Sequence, residues 1–130
     1  MDSSDNLLDL ELAPAARSVG LARAAVSKLA ADCGVTAADV ALCVSEAVTN
    51  AVVHAFRDRD DGSGAIHVHG ECDADGILWV SVEDDGVGVR PARSDSPGLG
   101  LGLRMIAAVA WKLHVSWDGG GSRVRMGFRA

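Results

Sequence analysis

The stretch TAADVALCVSEAVTNAVVHAFR, residues Thr36–Arg57, decides how the rest of the chain is read. Val40, Cys43, Val44, Ala47, Val48, Ala51 and Ala55 recur at three- and four-residue spacing, the pattern of a helix with one apolar side. Thr36, with Asp39 three positions on, resembles a capping box, so the helix is expected to start near Ala37. Glu46, Asn50 and His54 stand at i, i+4 and i+8, and at about 100° per residue they share one side of that helix. A carboxylate, a carboxamide and an imidazole in one stripe are either the wet face of an ordinary amphipathic helix or the floor of a site. The helix alone does not choose between them.

Upstream, LLDLEL at residues 7–12 alternates apolar and polar and reads as a short edge strand ended by Pro14. Val19, Ala22, Val26 and Leu29 mark a first helix over Ala15–Asp32, closed by Gly34, with Arg17, Arg23 and Lys28 off its apolar stripe. Downstream, RDRDDGSG is a turn. Asp58, Asp60 and Asp61 there resemble a calcium loop, but His69 stands where such a loop needs its bidentate Glu. Ile66, Val68, Gly70 and Cys72 alternate with His67, His69 and Glu71, and after a turn at Asp73–Gly76 a second strand runs from Ile77 to Asp84, making a hairpin. His67, His69 and Glu71 share one strand face, which reads as a half-exposed polar face rather than a metal site.

Residues Gly86–Gly102 read as loop and LRMIAAVAW as a third helix. Strands over Lys112–Trp117 and Ser122–Arg129, joined by DGGG, end the chain. The order strand, helix, helix, strand, strand, loop, helix, strand, strand implies a two-layer α/β sandwich, a mixed, mostly antiparallel sheet with its helices on one face.

A chain of 130 residues, 48% apolar, is one globular domain, residues 1–130, with an ordered core over about 7–129. Its formal net charge of −6 has the wrong sign for direct nucleic-acid binding or an anionic membrane surface. The N-terminus has no basic and apolar signal pattern and no segment is long enough to span a membrane, so a cytoplasmic location is expected. Cys33, Cys43 and Cys72 are odd in number and widely spaced, which speaks against disulfides and zinc and leaves them as small buried hydrophobes.

Counting by two from Leu78 through Val80 and Val82 reaches Asp84, which places a carboxylate on the helix-covered face of its sheet. A buried carboxylate needs a donor, and Gly86 and Gly88 just after it leave room for a ligand to approach the backbone. The same count puts Ser122 on the side of Val124, Met126 and Phe128, so its hydroxyl lies near Asp84 if the two strands are neighbours. Before the third helix, Gly98-Leu99-Gly100-Leu101-Gly102-Leu103 combines free backbone N–H groups with the positive end of a helix dipole, the physics of a phosphate cradle. Leu103 breaks a GxGxxG spacing and no Lys-Ser/Thr pair follows, which sets the run apart from dinucleotide and P-loop cradles.

Glu46-x-x-x-Asn50 on a helix, Asp84-x-Gly86-x-Gly88 after a strand and Gly98-x-Gly100-x-Gly102 opening a helix stand in a specific order. With the words VSEAVTNAVVHAF and VEDDGVGV, they make the chain resemble the GHKL (Bergerat-fold) ATPase superfamily. Within it the chain is most similar to the small anti-sigma factor serine kinases of the RsbW and SpoIIAB type. The resemblance covers about residues 7–129. It implies an ATP site in which Asp84 accepts from the adenine amine, Asn50 holds Mg²⁺ through its side-chain oxygen, and Glu46 is the general base for an attacking hydroxyl.

By the same resemblance His54 is a phosphate or lid contact, and Gly86 and Gly88 line the ATP site. Gly98, Leu99, Gly100, Leu101 and Gly102 close the nucleotide lid, with Arg90 and Arg93 as charge partners. Ser122 replaces the usual Thr of the adenine network, and Arg23 matches a position that contacts the sigma factor. The implied activity is an ATP-dependent protein serine/threonine kinase acting as an anti-sigma factor. It would bind a sigma factor, phosphorylate a STAS-type anti-anti-sigma protein, and form a homodimer. The alternative is an ATP-binding regulatory module without phosphotransfer. A sensor histidine kinase fits less well, because no His precedes Thr36.

Overall fold

A computed structural model describes residues 7–55, 64–86, 99–118 and 121–130. Strand β1 (Leu7–Leu12) leads into helices α1 (Arg17–Cys33) and α2 (Ala37–Asn50), and α2 continues as a π-helical turn over Ala51–Ala55. Strands β2 (Ile66–Cys72) and β3 (Leu78–Asp84), helix α3 (Leu99–Val109) and strands β4 (Lys112–Asp118) and β5 (Gly121–Phe128) come next. The five strands form one sheet in the order β1-β2-β3-β5-β4, antiparallel at every pairing.

The inward residues of the sheet, Ile66, Val68, Leu78, Val80, Val82, Val124, Met126 and Phe128, are buried. They form one core with Ala22, Val26 and Leu29 of α1, Val40, Val44 and Val48 of α2, and Leu103 and Ile106 of α3. Helices of amphipathic pattern hide their apolar stripe only against such a face, which is why all three lie on the same side. The other side of the sheet is mostly polar: His67, His69, Glu71 and Glu83 are exposed on it.

α1 ends as expected at Gly34, whose φ of 81° takes the left-handed turn that lets its N–H reach the carbonyl of Ala30. The start of α2 differs. Thr36 is the N-cap, but its side chain makes no capping hydrogen bond, and the first closure is the Val40 N–H to the Thr36 carbonyl. The capping box is therefore not formed. The helix also does not run regularly to Arg57: it widens into the π turn after Asn50, and residues 56 and 57 lie outside the described part. α3, conversely, begins at Leu99, inside the glycine run rather than after it.

The cysteine expectation is overturned at two of three positions. Cys33 and Cys72 form a disulfide, with Cα atoms 5.8 Å apart, while Cys43 is a free, buried thiol. The fold lands the last residue of α1 beside the last residue of β2, so cysteines 39 positions apart become neighbours. Burial, with Asp39 and Glu46 adding, pushes the Cys43 thiol up to about 11, which keeps it protonated and inert. Closing a loop of this length constrains the unfolded chain by roughly 2–4 kcal/mol. Reduction with a thiol reagent is expected to lower the guanidinium midpoint accordingly. An unchanged midpoint would show that the bridge does not restrict the unfolded state.

Candidate functional site

Asp84 is the last residue of β3 and only 8% exposed, on the helix-facing side as the alternation requires. β3 pairs with β5, and the register sets Asp84 against Ser122. The Ser122 hydroxyl donates to one carboxylate oxygen at 2.5 Å, and the Gly86 N–H donates to the other at 3.0 Å. Burial raises the Asp84 pKa above the ordinary carboxylate value, against the lowering effect of these two hydrogen bonds. The result is a fixed acceptor that gains from any further donor brought to it.

A cavity of about 310 Å³ opens beside this pair, lined by Asp84, Ser122, Gly121, Trp117 and the Glu83–Arg123 ion pair. Gly121 and Trp117 carry no motif and were not singled out from the sequence. Trp117 lies opposite Ser122 in the β4–β5 register and is 46% exposed, which is unusual for an indole on the inward side. Gly121 opens β5 with φ of 138°, and a Cβ there would overlap the carbonyl oxygen of Asp84. The only sequence signal was its place in DGGG. Gly121→Ala should therefore cost about 1–3 kcal/mol, read as a lower melting temperature, and weaken nucleotide binding. A variant as stable as the parent would show that this approach is not required.

The second group of residues forms where α2 meets α3. Glu46 is half-buried, and Asn50, the last residue of α2, is 6% exposed. Their side chains converge on Gly102. A Cβ built on Gly102 would sit 3.0 Å from Asn50 Nδ2, 3.3 Å from Asn50 Oδ1 and 3.3 Å from Glu46 Oε2. A side chain at 102 would press on both polar groups and require them to shift by a few tenths of an ångström. Among the described residues the buried Asn50 Nδ2 group has no hydrogen-bond partner, a cost that a ligand oxygen would relieve. The N–H groups of Leu99, Gly100 and Leu101 belong to the first turn of α3, where no preceding carbonyl of the helix can accept them.

The structure thus brings Glu46, Asn50 and Gly102 together in one group, and Asp84, Gly86 and Ser122 in another. Gly88, Gly98, Arg90 and Arg93 lie outside the described residues, as do the side chains of His54, Leu99 and Leu101. The backbone of His54 falls within the π turn that follows Asn50. Arg23 is exposed on α1, and its Nε donates to Ser45 Oγ at 3.0 Å, one residue before Glu46.

The arrangement fits a magnesium nucleotide. An orphaned carboxamide beside a carboxylate, next to a helix first turn with free N–H groups, suits an oxygen-rich anion with a hard cation. The model of the histidine kinase-like ATPase domain matches residues 12–128. The chain belongs to that family.

Among relatives of this histidine kinase-like ATPase, the anti-sigma F factor of Clostridium novyi is 30% identical over 138 residues, covering 95% of this chain and 94% of that protein. Blue-light-activated histidine kinase 2 of Erythrobacter litoralis is 38% identical over 96 residues, covering 70% of this chain but 27% of that protein. The crystal structure of the RsbU and RsbW domains of a Mycobacterium tuberculosis protein superposes with a TM-score of 0.74 at 26% identity. It covers 95% of this chain, which spans 32% of that one. The GHKL fold and the kinship with anti-sigma factors, first suggested by the three motifs, both stand. Among the described residues no helix is long and apolar enough to cross a membrane.

Proposed function

We propose that this chain is an ATP-dependent protein serine/threonine kinase that also acts as an anti-sigma factor. The observation that carries the reading is the convergence of Glu46 and Asn50 on Gly102 at the first turn of α3. Asn50 Oδ1 would hold Mg²⁺, and the bound Mg²⁺ would neutralise the nucleotide phosphates. The N–H groups of Leu99, Gly100 and Leu101 would bind phosphate oxygens, with Gly102 closing the lid beside them, and Asp84, held by Ser122 and Gly86, would accept from the adenine amine. Glu46, one helical turn before Asn50, would take the proton from an attacking serine hydroxyl. The partners are a sigma factor and a STAS-type anti-anti-sigma protein carrying that serine. Arg23 forms part of the docking surface, and the working form is a homodimer.

The kinship with the anti-sigma F factor of Clostridium novyi over nearly the full length of both chains supports this reading over a sensor histidine kinase. A cytoplasmic setting would keep Cys33 and Cys72 largely as thiols, so the activity is not expected to depend on their bridge.

Purified protein incubated with Mg-ATP and candidate STAS proteins should yield phosphoserine on one of them, and its ADP form should release a sigma factor when that partner is added. Tight ATP binding with no phosphoserine on any cognate STAS protein would instead establish a nucleotide-gated module without transfer.

A further inference from the structure

The uncovered face of the sheet carries a feature that nucleotide chemistry does not use. Trp79 on β3 and Trp111 just before β4 lie with ring centroids 6.0 Å apart, both half-buried. The Arg125 guanidinium stands 4.2 Å over the Trp79 ring, and Arg129 and Lys112 stand 4.8 Å and 5.2 Å from the centre of Trp111. Trp79 is held in turn by its Nε1–H, which donates to Asp73 Oδ2 at 3.1 Å.

Three exposed cations are thereby ordered side by side. Among the described residues the ion pairs are Arg123–Glu83 and His67–Glu11, so neither Arg125, Arg129 nor Lys112 has a carboxylate within reach. In a chain of net charge −6, such a concentration of unneutralised positive charge runs against the average of the surface.

We propose that this face is a docking surface for an acidic segment of another protein, a short run of Asp and Glu side chains. A guanidinium lying flat on an indole has its plane fixed while its N–H edges stay free, the preorganised form for carboxylate recognition. Nucleic acid fits less well for two reasons. The indole faces that would stack on bases are already covered by cations, and the overall negative field opposes a long polyanion. A short acidic segment meets the local cluster and carries little charge beyond it.

The test uses a fluorescein-labelled deca-glutamate peptide and the full chain at low ionic strength, monitored by fluorescence anisotropy. Binding should be weakened about tenfold or more by Arg125→Glu with Arg129→Glu, and should fall steeply with salt. Arg17→Glu with Lys28→Glu, the same charge change on exposed positions of α1, should leave it within about twofold. Should the reversed pair fail to fold by circular dichroism, Arg125→Gln with Arg129→Gln reads the same loss on a milder change.

The proposal is overturned by any of four results. These are no peptide binding by the parent chain, equal weakening by both pairs of substitutions, tighter binding of a labelled oligothymidylate of equal length, or a parent dimer in sedimentation that the Arg125/Arg129 variant dissociates. The last result would assign the face to a second copy, whose exposed Asp9, Glu11 and Glu71 on the opposite half of the same surface would be the occupants.

Discussion

Asp84→Asn is expected to lower ATP affinity roughly a hundredfold while leaving the free protein folded and no less stable. The carboxylate accepts from Ser122 on one oxygen and from Gly86 on the other. An asparagine can keep Gly86 on its Oδ1 and turn its NH₂ toward the serine hydroxyl, which can rotate to accept. What disappears is the negative charge and one acceptor that the adenine amine would use. A charge-assisted hydrogen bond in a buried site contributes about 1.5–3 kcal/mol, and a donor now set near a donor adds to the loss.

The stability side has a definite sign. Burial raises the Asp84 pKa in the folded chain above its unfolded value. The folded chain therefore holds this proton to higher pH, and stability falls as pH climbs from the ordinary carboxylate value through the raised one. Asparagine has no such proton, so the variant should lose that part of the pH dependence and melt at or above the parent temperature near neutrality. In the parent, ATP affinity should drop as acid protonates Asp84, since the adenine amine needs the ionised acceptor. Isothermal titration across pH measures the affinities and thermal melts across pH the stabilities. Parent-like affinity in the variant would mean that the base does not lie against Asp84.

Glu46→Ala should separate binding from transfer. The carboxylate sits with Asn50 against Gly102, yet in the proposed roles only Asn50 reaches the nucleotide through the metal. Nucleotide affinity is expected to stay within about threefold, while phosphoserine formation under single-turnover conditions falls by roughly 10²–10⁴, the range general base catalysis supplies. Glu46→Gln, which keeps the volume beside Gly102, should behave the same and so exclude a packing effect. Normal transfer by either variant would remove Glu46 from the chemistry.

Period-two counting makes the Asp84–Ser122 pair legible in the sequence, because strand parity is rigid and one residue of slip would have exposed both. The glycine run is legible as an anion site through backbone chemistry alone. Its boundary is not, since α3 starts at Leu99 despite the weak helix propensity of Gly100 and Gly102. Packing against α2 overrides local preference there, and the missing side chain of Gly102 leaves room for Asn50 and Glu46. The Thr36–Asp39 signal names the right N-cap and the wrong hydrogen bond. The Cys33–Cys72 bridge and the closeness of Gly121 to Asp84 depend on where distant segments land, which no spacing rule encodes.

The π-helical turn after Asn50 bears on how this region tolerates change in length. A π turn is an α-helix holding one residue more than its period allows. Asn50 therefore belongs to a segment whose angular phase is set by α2, whereas the extra residue is absorbed within Ala51–Ala55. Deleting a single residue from Ala51–Ala55 is expected to let the wide turn relax into regular helix without moving Glu46 or Asn50, read as unchanged nucleotide affinity. A change in chain length within the turn is thus separable from the placement of the residues that would face the metal.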